Sequence, residues 1–239
     1  ENGGGDAGYY YSLDGGRTWR DGILPNVKPT PNTFAASSGD PALAFDASGN
    51  VYYSYIWFER ASYRNGIFVN RSTNGGQTWK TFPDTVIVHL DNIPTDPFED
   101  KEYVAADNLA SSPFKDNVYV SWTQLSAAGT RILISRKSPA DTKFSTPMQI
   151  SDVGSVQGSV PAVGPGGVVY VTWFDFNEGG RIMIDKSVDG GANFGPDVKV
   201  TSVTQIGQVI NLGGDVRFRL KGSIRVNSFP SIAVDKSGG

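Results

Sequence analysis

The sequence predicts an all-β chain in which four-stranded antiparallel units repeat, and three observations predict it. An eight-residue turn pattern recurs, one apolar strand is written three times in nearly the same residues, and no segment carries a helical period. The composition agrees: 29 glycines and 14 prolines in 239 residues suit short strands joined by tight turns, while a hydrophobic share of 38% supports a core.

The turn pattern reads SLDGGRTW at 12–19, STNGGQTW at 72–79 and SVDGGANF at 187–194. A serine (Ser12, Ser72, Ser187) stands two residues before an Asp or Asn (Asp14, Asn74, Asp189), then come two glycines and a closing aromatic (Trp19, Trp79, Phe194). Asp and Asn bond the backbone just ahead, glycine takes positive φ without steric cost, and the aromatic folds back as an apolar plug. The first two copies stand 60 residues apart, and a shortened copy, SPADTKF at 138–144, fills the wider gap before the last.

Taken in order, residues 1–28 hold a partial unit: a strand at 9–11, a turn and an outer strand. A full unit spans 41–90, with an inner strand at 42–45, a second at 51–58, a third at 67–70, the turn, and an outer strand at 86–90. Units at 103–150 and 161–200 repeat it. Their second strands, VYVSW at 118–122 and VYVTW at 169–173, match VYYSY at 51–55 and nearly lack polar positions, as a strand buried on both faces requires. Residues 201–228 break the pattern and read either as a hairpin inserted across one mouth or as an irregular loop. Residues 229–239 restart an inner strand matching 41–50. Four-stranded antiparallel blades around an axis make a β-propeller. The expectation is one domain over 1–239, about four blade-equivalents of a six-bladed or larger propeller, with both chain ends inside a blade.

The eight-residue pattern resembles the Asp-box (BNR) repeat of sialidase-like β-propellers. With SGDPALAFD, EDKEYVAAD and NVYVSWT, the chain is similar to bacterial extracellular BNR-repeat proteins. The resemblance implies a secreted or cell-surface protein with its pocket at the propeller end opposite the boxes. Ser12, Asp14, Trp19, Ser72, Asn74, Trp79, Ser187, Asp189 and Phe194 are then structural.

The opposite mouth is the candidate face. Asp40 and Asp100 precede inner strands, and Asp91, Asp96, Glu99, Asp100, Lys101 and Glu102 crowd one loop. Paired carboxylates suit general acid and base in glycoside cleavage, which makes Asp40, Asp100 and Glu102 the catalytic candidates. Arginine clamps a carboxylate with two parallel bonds, so Arg60, Arg64 and Arg181 are candidate ligand residues. Trp57 and Tyr63 near the same mouth are candidates for stacking on sugar rings. The bland alternative is a solvated charged loop. Hard carboxylate oxygens in 91–102 also allow Ca2+, although no EF-hand spacing is present and no cofactor is required.

The sequence excludes other chemistries. A net charge of −3 with no basic run excludes nucleic acid as a partner, and no apolar stretch reaches membrane-spanning length. With no cysteine there is no thiolate or disulfide chemistry, and His89 is the sole histidine, so a Ser-His-Asp triad is not expected. The arginine-isoleucine-proline segment of true sialidases is absent. The reading is a glycan- or protein-binding propeller module, whose partner is a carbohydrate, a glycoprotein, or another chain at an open blade edge. The alternative is a sialidase-like glycoside hydrolase with part of its catalytic set outside this segment.

Overall fold

The structure, a computed structural model, describes residues 7–25, 37–212, 215–221 and 224–237. It is all-β. The only helical residues described are two single 3-10 turns, Pro165–Gly167 and Asn177–Gly179, so no described helix is long or apolar enough to cross a membrane.

The first box joins β1 (Gly8–Tyr11) to β2 (Arg20–Ile23) as a hairpin. Three four-stranded antiparallel blades follow: β3 (Ser37–Phe45), β4 (Val51–Phe58), β5 (Asn65–Ser72) and β6 (Asp84–His89); then β7 (Phe98–Ala106), β8 (Val118–Ser126), β9 (Gly129–Lys137) and β10 (Met148–Gln149); then β11 (Val156–Val163), β12 (Val169–Asp175), β13 (Arg181–Ser187) and β14 (Val198–Ser202). In each blade the strands pair in chain order. Within the stretch that breaks the repeat, β15 (Gln208–Leu212), β16 (Asp215–Leu220) and β17 (Ile224–Arg225) pair as a three-stranded flap. The segment after the flap then passes β11, with Phe229 against Gly158 and Val234 against Gly164.

The blades stack face to face through their second strands. Ile56, Ile67 and Val69 meet Val104, Val120 and Trp122; Tyr119, Ile132 and Ile134 meet Val156, Val171 and Trp173. All are buried, and each such side chain contributes about 1.5–3 kcal/mol. Tyr53, Tyr55, Trp57 and Phe68 pack with Ala7 and Leu24 in the same way toward the first hairpin. Trp79 plugs that layer, edge-on to Tyr9 and Tyr53. Trp19 folds over its own turn, its Nε1 donating to the Gly16 carbonyl at 3.0 Å, yet stays 62% exposed, because no described element packs on that side of the β1–β2 hairpin.

The inner strands start earlier than the apolar runs suggest. β3, β7 and β11 begin at Ser37, Phe98 and Val156, and each carries a β-bulge. Residues 40 and 41 lie opposite Tyr55, 101 and 102 opposite Trp122, and 158 and 159 opposite Trp173. Asp40 (φ 50°), Lys101 (φ 54°) and Gly158 (φ 73°) occupy the left-handed position in the three bulges.

Candidate functional site

The boxes are built as turns and lie at one end. In each, the serine oxygen accepts from the second glycine N–H: Ser12 from Gly16 at 2.8 Å, Ser72 from Gly76 at 2.9 Å, Ser187 from Gly191 at 2.9 Å. Asp14, Asn74 and Asp189 accept from the N–H four residues ahead at 2.9–3.0 Å. These bonds, led by the Thr18 hydroxyl, hold the Asp14 carboxyl down at about 2. Phe194 is half-buried against the third blade's core. In the shortened copy Asp141 accepts from Ser138 N–H and hydroxyl, and Phe144 is buried.

The bulges lie at the opposite end, near where each inner strand enters. Bulges put two residues against one and re-aim side chains, and they concentrate near active sites. Here they link neighbouring blades: Lys101 pairs with Asp40 at 3.3 Å, Gln157 Nε2 donates to Asp100 at 3.3 Å, and Ser159 donates to Ser121 at 2.9 Å. Asp40 is exposed and Asp100 half-buried; Glu102 is fully buried, and neither of its carboxyl oxygens has a hydrogen-bond partner. Burial, then the neighbouring Asp40 and Asp100 carboxylates, pushes Glu102 well above the usual carboxylate range. Burial also raises Asp100, with Asp40 adding to the effect while Lys101 and Arg225 oppose it. The three catalytic candidates of the sequence are therefore brought together, with Glu102 behind the two that ligand can reach.

The flap completes the site. Between it and the blades of β7–β10 and β11–β14 lies a pocket of about 240 Å³, walled by Phe176, Phe218 and Phe229, with Asp100 and Gln157 from the bulges and Arg225 from β17. Phe176 and Phe229 pack edge-on at 6.4 Å. Arg225 and Gln157 escaped the sequence reading. Their signals were the basic alternation of 215–221 and a polar Gln-Gly-Ser just ahead of an apolar run.

The expected ligand clamp is not assembled. Arg181 is locked to Asp175 and to Glu178 (2.9 Å), Arg64 donates to the Leu90 carbonyl at 2.8 Å and pairs with Glu59 at 3.6 Å, and Arg60 donates to Ser37 at 3.0 Å while lying over Phe58. None lines the pocket. Trp57 is 1% exposed, edge-on to Phe68, so it packs the core and has no face for a sugar. Tyr63 is exposed on the β4–β5 loop, away from the pocket.

The crowded 91–102 loop is largely structural. Glu99 is buried and accepts from Trp122 Nε1 at 2.6 Å and Gln124 Nε2 at 2.8 Å, and it pairs with His89 at 2.9 Å. That bond raises the His89 pKa. Among the described residues no group of three or more His, Cys, Asp or Glu is arranged to hold a metal ion.

No protein-family model and no curated protein matches the chain. Solved structures do. A Hadza microbial sialidase superposes with a TM-score of 0.60 at 15% identity, over 83% of this chain and 41% of the sialidase. The intramolecular trans-sialidase from Ruminococcus gnavus gives 0.54 at 10%, over 84% and 66%. An endo-arabinanase from Bacillus licheniformis gives 0.53 at 14%, over 98% and 89%. The chain has a β-propeller fold. Its blades resemble those of sialidase and arabinanase propellers alike, and the chain spans less than half of the Hadza sialidase.

Proposed function

We propose that the propeller engages carbohydrate at the bulge-lined mouth, as a secreted or cell-surface glycan-binding module. The observation that carries this is the convergence of the β7 and β11 bulges and the flap on one pocket, where the Asp100 carboxylate and the Gln157 amide meet aromatic walls. Carboxylates and amides take sugar hydroxyls, and phenyl rings take the C–H faces of the ring. The likeness to glycosidase propellers of differing specificity supports a glycan-related role. Function still resides in the site, because one fold serves many activities.

One observation favours a second reading, glycoside hydrolysis. Asp100 is half-buried with a raised pKa, while Asp40 sits exposed beside Lys101. Two carboxyls in such different surroundings suit an acid and a base. A glycan array together with chromogenic glycosides tests both. Binding without turnover, weakened in Asp100→Asn, supports the module. Turnover abolished in both Asp40→Asn and Asp100→Asn establishes the hydrolase. Absence of any glycan binding sinks both.

A further inference from the structure

Building on the carbohydrate reading above, we infer that the flap pocket takes one terminal ring of an uncharged sugar chain and rejects acidic sugars. Size comes first. At about 240 Å³ the pocket is smaller than the roughly 300–1,000 Å³ typical of drug-sized ligands, so it accommodates a single ring rather than a run of them. Its aromatic walls Phe176, Phe218 and Phe229 come from the end of β12, from the flap strand β16 and from the segment after the flap, so the ring is bounded on several sides.

Charge comes second. Holding a sugar carboxylate in a partly desolvated pocket requires a free guanidinium, since an unpaired buried anion is costly. Arg60, Arg64 and Arg181 each spend donors on Ser37, on Leu90 and Glu59, and on Asp175 and Glu178, and all lie outside the pocket. Among the described residues, Arg225 is the cation lining it and lies close enough to Asp100 to lower its pKa, and Lys101 pairs with Asp40, so both already have counter-charges. An incoming carboxylate meets the Asp100 carboxylate, whereas a neutral ring offers hydroxyls to Asp100, Gln157 and Arg225.

The sign of one substitution separates the two ligand classes. Asp100→Asn removes an acceptor charge that helps a neutral ring and repels an acidic one. Titrations followed by NMR on the whole protein compare methyl galactoside, methyl glucoside and methyl xyloside with the methyl glycoside of sialic acid. The expected result is binding of at least one neutral glycoside, about tenfold weaker in Gln157→Leu and in Asp100→Asn, with no sialoside binding; tenfold corresponds to one lost hydrogen bond. Sialoside binding that tightens in Asp100→Asn and vanishes in Arg225→Ala overturns the inference. Longer neutral glycans that bind but ignore Gln157→Leu and Phe218→Ala overturn the subsite while leaving the mouth as a glycan site. If no glycan binds, the underlying reading fails.

Discussion

Two buried side chains show the division of labour at single positions. The Ser187 oxygen accepts the Gly191 N–H and donates to Asp189, so it closes a turn far from the mouth. Ser187→Ala leaves a buried N–H without a partner, which costs about 1–3 kcal/mol. The expected outcome is a lower denaturant midpoint with glycan binding unchanged; altered binding in the folded variant counts against a purely structural box. Glu102 is the opposite case. Its carboxyl is buried, unpaired and held protonated beyond the usual carboxylate range, so as pH rises toward its folded pKa the native state loses stability relative to an unfolded chain that ionises earlier. Glu102→Gln keeps the shape and removes that penalty, so its melting temperature at pH 8 should exceed the parent's. A melting temperature lowered at pH 8 would show that the carboxylate form has a native role.

At the scale of elements, the bulges make the site and the boxes make the blades. Gly158 tests the bulge most directly, since its φ of 73° disfavours any Cβ, and a Cβ there meets Phe229 Cγ at 2.6 Å. Gly158→Ala should therefore cost about 1–3 kcal/mol and displace Phe229 from the pocket wall. Loss of ring binding larger than the loss of stability, measured on the folded protein, is the expected signature; parent-like binding argues that the bulge does not shape the pocket. The boxes and second strands were legible in sequence because their signals are local: a turn's hydrogen bonds join residues two to four apart, and a buried strand shows as an apolar run. The bulges were not, because a two-against-one register exists only relative to the partner strand. Gly39-Asp40-Pro41 and Asp100-Lys101-Glu102 read as ordinary loop before an apolar run. The arginines misled for a related reason. Arg64 and Arg181 find partners across their own β-turn regions, and no spacing rule distinguishes an arginine tied to Asp175 from one awaiting a ligand. Asp40 and Asp100 were placed at the mouth from sequence because each stands just ahead of the apolar run of an inner strand, although the strand itself begins earlier.

Across the whole molecule, the blades of β7–β10 and β11–β14 are also pinned at a carboxylate cluster, and this gives the fold a pH dependence. Asp152 and Asp197 exchange bonds, each side chain accepting the other's N–H at 2.9–3.0 Å, while Asp185 accepts from Gly195 N–H at 3.0 Å and from Lys186 N–H. Asp185 Oδ2 and Asp197 Oδ1 have no partner. Burial first, then the neighbouring carboxylates, lifts both Asp185 and Asp197 from 3.8 to about 6, with backbone hydrogen bonds working the other way. Between about pH 4 and 6 the native state thus binds more protons than the unfolded chain, so stability falls as pH rises through that window and levels off above it. His89, raised by its bond to Glu99, has the same sign at higher pH: its contribution is full below 6.5 and is lost as pH passes its folded value. Asp84 opposes both. Burial pushes its carboxyl up, but Lys137 and Lys80 hold it below 3.8 overall, and that stability is lost as pH falls through its folded value. The melting temperature should therefore peak near pH 4, decline toward pH 7, and drop in stronger acid. Asp185→Asn isolates the cluster, because its carbonyl oxygen keeps both backbone donors while the unpaired oxygen is replaced. The variant should melt higher than the parent at pH 7 and match it at about pH 3.5, with the pH 4–6 slope reduced by the Asp185 share. An unchanged slope, or a variant that melts lower at pH 7, would show that the blade interface depends on this charge rather than tolerating it.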